Sequence, residues 1–158
     1  MAHTCTRILV HMVFATKDRR PLIVAPIKPK LHAYMAGICR HLNCHLYALD
    51  GVEDHSHLVF DLSPTVSLAD FANRLKAGAT KWARREGGLL DFGWQRGYGA
   101  FSLGQQNLNS AIRYVQSQEN HHRRRSLADE LGSFMRLHGM SLDSEFAEGV
   151  YRTPNTGA

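Results

Sequence analysis

The order of strand-like and helix-like segments predicts an α+β fold, a ferredoxin-like (split βαβ) antiparallel sheet with helices on one face and extra C-terminal helices. Four apolar, β-prone segments alternate with two segments whose apolar residues recur every three or four positions, in the order β-α-β-β-α-β. The dipeptide Asp50-Gly51, between the second and third strand-like segments, is a turn signal that favours a hairpin. We expect the second face of this sheet to be free of helices.

The first half of the chain accounts for three strands and one helix. Residues 7–14 are apolar and β-prone, which is typical of a central strand. Proline is favoured in the first turn of a helix, and residues 31–42 form the helix predicted after Pro29. Residues 45–49 and 55–62 are the two strands of the hairpin.

The second half supplies the remaining elements. Ser67 is a helix N-cap residue, and the helix that follows carries apolar residues at spacings of three and four until Gly87-Gly88 ends it. We predict a fourth strand over residues 94–103, a third helix from Asn107 or Asn109 to about His122, and a fourth helix that begins near Ser126. The expected organisation is one domain over residues 1–140 and a partly disordered tail over residues 141–158.

Charge is distributed unevenly along the chain. Residues 1–125 contain 17 Lys/Arg and 9 Asp/Glu, whereas residues 126–158 contain 2 and 5. Fourteen of the 19 basic residues are arginine, which favours bidentate phosphate contacts. A basic body with an acidic tail indicates a polyanionic partner such as a nucleic acid; a solvated basic surface is the alternative.

Composition also bears on the class of protein and its compartment. The sequence contains no run of 18 apolar residues, so it predicts no membrane-spanning helix. Residues 1–7 lack the apolar stretch of a signal peptide. The three cysteines are an odd number, so a disulfide framework is not indicated. We expect a cytoplasmic, nucleoid-associated protein.

The segment His55-Ser56-His57 is the first candidate for chemistry. Residues two apart on a strand share a face, so both imidazoles are expected to project from the face opposite Leu58 and Phe60. Two neutral imidazoles at this spacing can bind one metal ion. The alternative is a pair of half-exposed histidines on a strand, and the spacing does not decide between the two.

Tyr114 and Gln118 on the third predicted helix are the second candidate. They are four residues apart, so they stack on one side of the helix, at the border between its buried stripe and solvent. A side chain at that border can reach a functional site. The alternative is a tyrosine that covers the edge of the core beside a solvated glutamine.

Two further clusters have less specific patterns. Cys39, His41, Cys44 and His45 could be zinc ligands, but they lack the paired spacing of a structural zinc site, and the cysteines fit small buried residues equally well. The run of histidine and arginine over residues 121–125 suits either phosphate contacts or a helix C-terminus.

Three segments together resemble the single-tyrosine (HUH) transposases of small bacterial insertion sequences, a family that includes a branch associated with repetitive extragenic palindromes. Residues 54–58 resemble the His-hydrophobe-His motif, residues 94–102 resemble the fourth-strand segment, and residues 114–122 resemble the catalytic helix. The resemblance extends over residues 7–137. Family members usually carry a hydrophobic residue between the two histidines, where this chain has Ser56, whose side chain is expected to face the helices.

The resemblance implies a set of functional assignments. Tyr114 would be the nucleophile, and His55, His57 and Gln118 would hold Mg²⁺ or Mn²⁺. The substrate would be single-stranded DNA near a hairpin, cleaved and rejoined through a 5′-phosphotyrosine without a nucleotide cofactor. Family members are often homodimers in which the tyrosine helix of one subunit completes the histidine pair of the other. The residues expected to bind DNA are Lys17, Arg19, Arg20, Lys76, Lys81, Arg84, Arg96, Arg123 and Arg124.

Two other functions stay open at this point. A non-catalytic or domesticated nucleic-acid-binding module on the same fold would keep the basic surface and need no metal. A zinc protein built on the cysteine-histidine cluster would need no nucleic acid.

Overall fold

A computed structural model describes residues 3–119 and 125–140. Four strands form one antiparallel sheet in the order β2-β3-β1-β4: β1 (Leu9–Ala15), β2 (His45–Val52), β3 (His55–Asp61) and β4 (Gly99–Leu103). The helices are α1 (Lys28–His41), α2 (Leu68–Arg85), α3 (Leu108–Gln116) and α4 (Leu127–Leu137). Short 3-10 turns lie at Lys17–Arg19 and Gln105–Asn107. This topology confirms the predicted ferredoxin-like α+β fold.

One face of the sheet is buried under α1 and α2. Met12 of β1 and Leu58 and Phe60 of β3 are fully buried there, and Phe60 stacks on Phe71 of α2 with ring centroids 4.1 Å apart. The apolar positions of α2 recur every three or four residues, and the Ser67 hydroxyl accepts a hydrogen bond from the backbone N–H of Asp70 at 3.0 Å. The predicted start and end of α2 are therefore confirmed.

The other face of the sheet is covered as well, which corrects the expectation that it is free. Leu108 and Val115 of α3 pack against Val59 of β3. Leu131 of α4 packs with Val13 of β1, in a cluster that also contains Leu127, Met135 and Phe101. Apolar side chains on this face of β1, β3 and β4 need cover from water, and α3 and α4 supply it. We call this side of the sheet, with its two helices, the site face.

The hairpin between β2 and β3 turns later than predicted. Asp50 and Gly51 belong to β2, and the chain reverses at Glu53-Asp54. Gly51 serves close packing, because a Cβ at that position would lie 2.2 Å from the carbonyl oxygen of His55. The dipeptide Asp50-Gly51 therefore marks a close approach between β2 and β3, not the turn between them.

Three other boundaries differ from prediction for local reasons. α1 begins at Lys28, with Pro29 inside its first turn. β4 is shorter: Trp94 makes only an isolated bridge to Thr16, and Gly97 has a φ of 80° that interrupts an extended strand. α3 ends at Gln116 because the next residue, Ser117, has φ −109° and ψ 24°, outside the helical region. The predicted end near His122 and the tail over residues 141–158 lie outside the described residues.

None of the helices in the described ranges is both long and apolar enough to span a membrane.

Candidate active site

His55 and His57 project from β3 onto the site face, as the strand periodicity predicts. In the register with β1, Ala15 pairs with His55 and Val13 pairs with His57. Both histidines are completely buried, because α3 and α4 lie over them. The alternative of half-exposed strand histidines is therefore wrong.

The two imidazoles converge on one carboxylate. Oε2 of Glu130, in the first turn of α4, lies 3.5 Å from Nε2 of His57 and 3.9 Å from Nε2 of His55. One ligand atom from each of these three residues lies within 4.8 Å of the other two. Two imidazole nitrogens and one carboxylate oxygen form a donor set that suits a divalent transition metal ion or a similar cation.

The Nδ1 atom of each imidazole is held by a different neighbour. Nδ1 of His55 lies 2.7 Å from Oδ1 of Asp54, and Oδ2 of Asp54 accepts a hydrogen bond from Arg19 at 3.0 Å. Nδ1 of His57 lies 2.9 Å from Nε2 of His11 on β1. These contacts fix the planes of both rings and direct each Nε2 towards Glu130.

Tyr114 lies in the same cluster. Its hydroxyl donates a hydrogen bond to Oε1 of Glu130, and its ring centroid is 6.0 Å from that of His57. Burial and the Glu130 contact raise the pKa of the phenol well above its usual range, while a hydrogen bond with Gln118 opposes part of that rise. The phenol is therefore protonated at neutral pH in this arrangement.

Gln118 is buried beside Tyr114, and its Nε2 donates a hydrogen bond to the Tyr114 carbonyl at 3.4 Å. Gln118 therefore contacts the tyrosine, and the side chain that lies beside both histidines is Glu130. The chain's own Tyr114 meets its own histidine pair, at the position where the resemblance implies a partner's tyrosine.

Sequence reasoning missed three members of this cluster: Glu130, His11 and Asp54. Glu130 lies three residues after Leu127, which places it on the buried stripe of α4. His11 interrupts an otherwise apolar strand. A polar residue at a position that the periodicity assigns to the core is the signal that could have found both.

The predicted DNA-binding cations lie in different settings. Arg20 forms an ion pair with Asp91 at 2.5 Å, and Arg19 binds Asp54. Lys76 donates hydrogen bonds to the carbonyl oxygens of Gln95 and Gly97, each at 2.7 Å, so it anchors the loop before β4. The exposed residues of this set are Lys17, Arg20, Lys81, Arg84 and Arg96. Arg123 and Arg124 lie outside the described residues.

The cysteine-histidine cluster is not a metal site in the described part of the chain. Cys39 and Cys44 are buried, and burial raises the pKa of the Cys39 thiol to about 12, which keeps the thiol protonated. Among the described residues, the side chains that are close enough together to hold an ion are those of His55, His57 and Glu130, which lie in the other cluster. The zinc hypothesis is therefore wrong for the described residues.

Comparison with known proteins places these features in a family context. Residues 4–118 match the family model described as "Transposase IS200 like". The transposase for insertion sequence element IS200 of Salmonella typhimurium is 26% identical over 110 residues, which cover 66% of this chain and 72% of that protein. The IS200 transposase of Salmonella typhi matches with the same values.

Two solved structures share the fold. A crystal structure of a putative transposase from Deinococcus radiodurans has a TM-score of 0.58 at 18% identity and covers 75% of this chain and 95% of that one. The structure of a REP-associated tyrosine transposase bound to a REP hairpin has a TM-score of 0.60 at 13% identity and covers 82% of this chain and 77% of that one.

Proposed function

The chain belongs to the family of IS200-like transposases, and from that premise we propose that it cleaves and rejoins single-stranded DNA through Tyr114 at a site assisted by a divalent metal ion. One observation carries the proposal: the Tyr114 hydroxyl meets Glu130, the carboxylate on which both His55 and His57 converge. A nucleophile beside a metal-ligand set is the arrangement that phosphoryl transfer by a side chain needs.

We assign the ion, Mg²⁺ or Mn²⁺, to Nε2 of His55, Nε2 of His57 and the Glu130 carboxylate, with Gln118 as the further candidate ligand. When bound there, the ion supplies Lewis-acid stabilisation of charge on a phosphodiester oxygen. The donor set fits such an ion because the three ligand atoms already lie within 4.8 Å of one another.

The tyrosine performs the bond exchange in this proposal. Its hydroxyl oxygen forms a bond to phosphorus, the bond from phosphorus to the 3′-oxygen breaks, and the 3′-oxygen leaves as a hydroxyl after taking up a proton. The phenol begins protonated, with its hydrogen directed at Oε1 of Glu130, so in this proposal the carboxylate takes the phenol proton as the bond to phosphorus forms and solvent water protonates the leaving 3′-oxygen. A 3′-hydroxyl of a second strand then attacks the phosphotyrosine and releases the phenol, so the exchange needs no nucleotide cofactor.

Access of DNA requires a change in this arrangement. His55 and His57 have no exposed surface, and Glu130 is 1% exposed. A phosphodiester cannot contact these side chains while α4 lies over them. We therefore infer that DNA reaches the site when α4 moves away from the sheet.

A hairpin-bearing single strand is the substrate that we propose, supported by the fold shared with a transposase whose structure contains a REP hairpin. The decisive experiment incubates labelled single-stranded hairpin DNA from the genomic flank of the gene with the protein and Mg²⁺ or Mn²⁺, followed by a denaturing gel. We expect a covalent protein–DNA band that disappears with EDTA and in Tyr114→Phe.

Tyr47→Phe is the matched control, because the Tyr47 hydroxyl is also held by a charged side chain, Arg7, at 3.0 Å, but lies outside the cluster. It should give the same band as the wild type. DNA binding without a band in the wild type would contradict the catalytic proposal and favour the non-catalytic binding module.

The resemblance implies a homodimer with sites shared between subunits, and mixing inactive variants tests that implication. An equimolar mixture of Tyr114→Phe and His57→Ala contains intact tyrosine and intact histidine pairs on different chains. Because Tyr114 meets the histidine pair of its own chain in this structure, we expect the mixture to stay inactive. Restored cleavage would support sites shared between subunits.

A further inference from the structure

We propose that His11 is a positioning residue, which holds His57 in the tautomer whose Nε2 carries no proton and can therefore bind the metal ion. The inference rests on the proposed function and adds a residue that the DNA and the ion do not touch. It concerns the buried contact between β1 and β3 described above.

The contact is close and enclosed. Nε2 of His11 lies 2.9 Å from Nδ1 of His57, and both side chains are buried. His11 pairs with Val59 and Val13 pairs with His57, so the two histidines are diagonal neighbours on the site face. The ring of His11 also packs edge-on against Phe134 of α4, with centroids 4.7 Å apart, which restricts its orientation.

This geometry leaves two proton arrangements between neutral rings. In one, Nδ1–H of His57 donates to Nε2 of His11, and Nε2 of His57 keeps the lone pair that a metal ion needs. In the other, Nε2–H of His11 donates, and the proton of His57 sits on Nε2 and blocks the ion. Only the first arrangement is compatible with a His57 that binds metal, and it requires His11 to accept the hydrogen bond.

His11 is suited to act as that acceptor because its ring is buried between β1 and α4, where a charged imidazole would be costly to desolvate. A protonated imidazole would have two N–H donors and could accept nothing from His57.

The two metal ligands are therefore held by partners of different charge. Asp54 holds His55 with a carboxylate oxygen, whereas His11 offers His57 an imidazole nitrogen. Partners of this kind commonly change metal affinity by about 10–100-fold when they are removed.

The test compares two substitutions of His11 in the full-length protein, with Mn²⁺ affinity measured by calorimetry. His11→Phe keeps the ring shape beside Phe134 and loses the acceptor, so we expect Mn²⁺ to bind about 10–100-fold more weakly. His11→Gln places an amide oxygen near the former Nε2, so its affinity should stay within about 3-fold of the wild type. His32→Phe, at a half-buried histidine on α1, is the control and should bind Mn²⁺ as the wild type does.

Two readouts separate positioning from a general loss of structure. Metal-free His11→Phe should still unfold in one cooperative transition, with a thermal midpoint lowered by about 2–12 °C, because the buried N–H of His57 loses its acceptor at a cost of about 1–3 kcal/mol. Long-range proton–nitrogen NMR of the metal-free protein should show the His57 proton on Nδ1 in the wild type and a tautomer mixture in His11→Phe.

Several outcomes would overturn the inference. One is Mn²⁺ affinity in His11→Phe equal to that of the wild type; another is a wild-type His57 with its proton on Nε2. If binding is lost in His55→Ala but kept in His11→Phe, this inference fails and the metal site stands. A wild-type chain that binds no Mn²⁺ would overturn the metal site and this inference together.

Discussion

Replacing Glu130 with glutamine should have little effect on the metal-free protein and a large effect on the metal-bound one. The substitution keeps the shape of the side chain and removes one buried negative charge near His55 and His57. Without metal, a buried carboxylate is costly to desolvate, so Glu130→Gln should leave the free energy of unfolding unchanged or raise it. With metal, the site loses the negative charge that Glu130 contributes to it.

The magnitude follows from the burial of the cluster. Removing one partner of a buried charge pair costs about 3–5 kcal/mol, and the lower value weakens metal binding about 100-fold. At a metal concentration about 100 times the wild-type Kd, the wild type gains about 2.7 kcal/mol of stability and the variant about 0.4 kcal/mol. In a protein of 158 residues this corresponds to a metal-induced rise in Tm of about 5–11 °C for the wild type and about 1–2 °C for Glu130→Gln.

The assay is a thermal melt of each protein with and without Mn²⁺. Asp129→Asn is the matched control, because it removes the same charge from the neighbouring, exposed residue of α4 and should keep the full shift. A full shift in Glu130→Gln, with no shift in His57→Ala, would refute the assignment of Glu130 as a ligand. Loss of the shift in Gln118→Leu would then transfer that role to Gln118.

Three further predictions concern single residues. Burial lowers the pKa of His32 from 6.5 to about 4. Because His32 of the unfolded chain binds a proton more tightly than His32 of the folded chain, the free energy of unfolding falls as the pH drops below 6.5. The loss should be about 2 kcal/mol at pH 5, and urea unfolding of His32→Gln should lack it. Ser56→Ala should raise the free energy of unfolding by about 1 kcal/mol without loss of cleavage, because the buried Ser56 hydroxyl has no hydrogen-bond partner among the described residues; a lower stability would show that the hydroxyl is satisfied. Lys81→Ala should reduce the slope of log Kd for DNA against log salt concentration by about 1, and an unchanged slope would remove Lys81 from the DNA footprint.

The spacing of apolar residues predicted the fold because that spacing is set by which side chains must be buried away from water. The spacing of two along β3 separated His55 and His57 from Leu58 and Phe60, and the structure has the same division. The spacing of three and four located α2 with both of its ends. The predicted helix ends were wrong where a single side chain decides the end of the helix. At Ser117, the hydroxyl donates hydrogen bonds to the Arg113 and Tyr114 carbonyls and competes with the backbone hydrogen bonds of the helix.

The candidate site was predicted only in part, because its members come from distant segments. Tyr114, His55 and His57 stood out through motifs, and the structure places them in one cluster. Glu130 reaches that cluster because α4 packs across β1, and this packing between distant segments cannot be predicted from the local sequence pattern. The same packing explains why the site face is covered, since the apolar stripe of α4 was visible in the sequence but its target was not.

The stripe of α4 has a consequence for how this chain can be engineered. Leu127, Leu131 and Met135 are apolar and buried, and Glu130 interrupts them at a position where a leucine would pack on the same sheet. A screen that rewards heat resistance alone would select an apolar residue at position 130 and would return a more stable protein with a poorer metal site. Thermostable variants of this chain should therefore be selected for Mn²⁺ binding and melting temperature together.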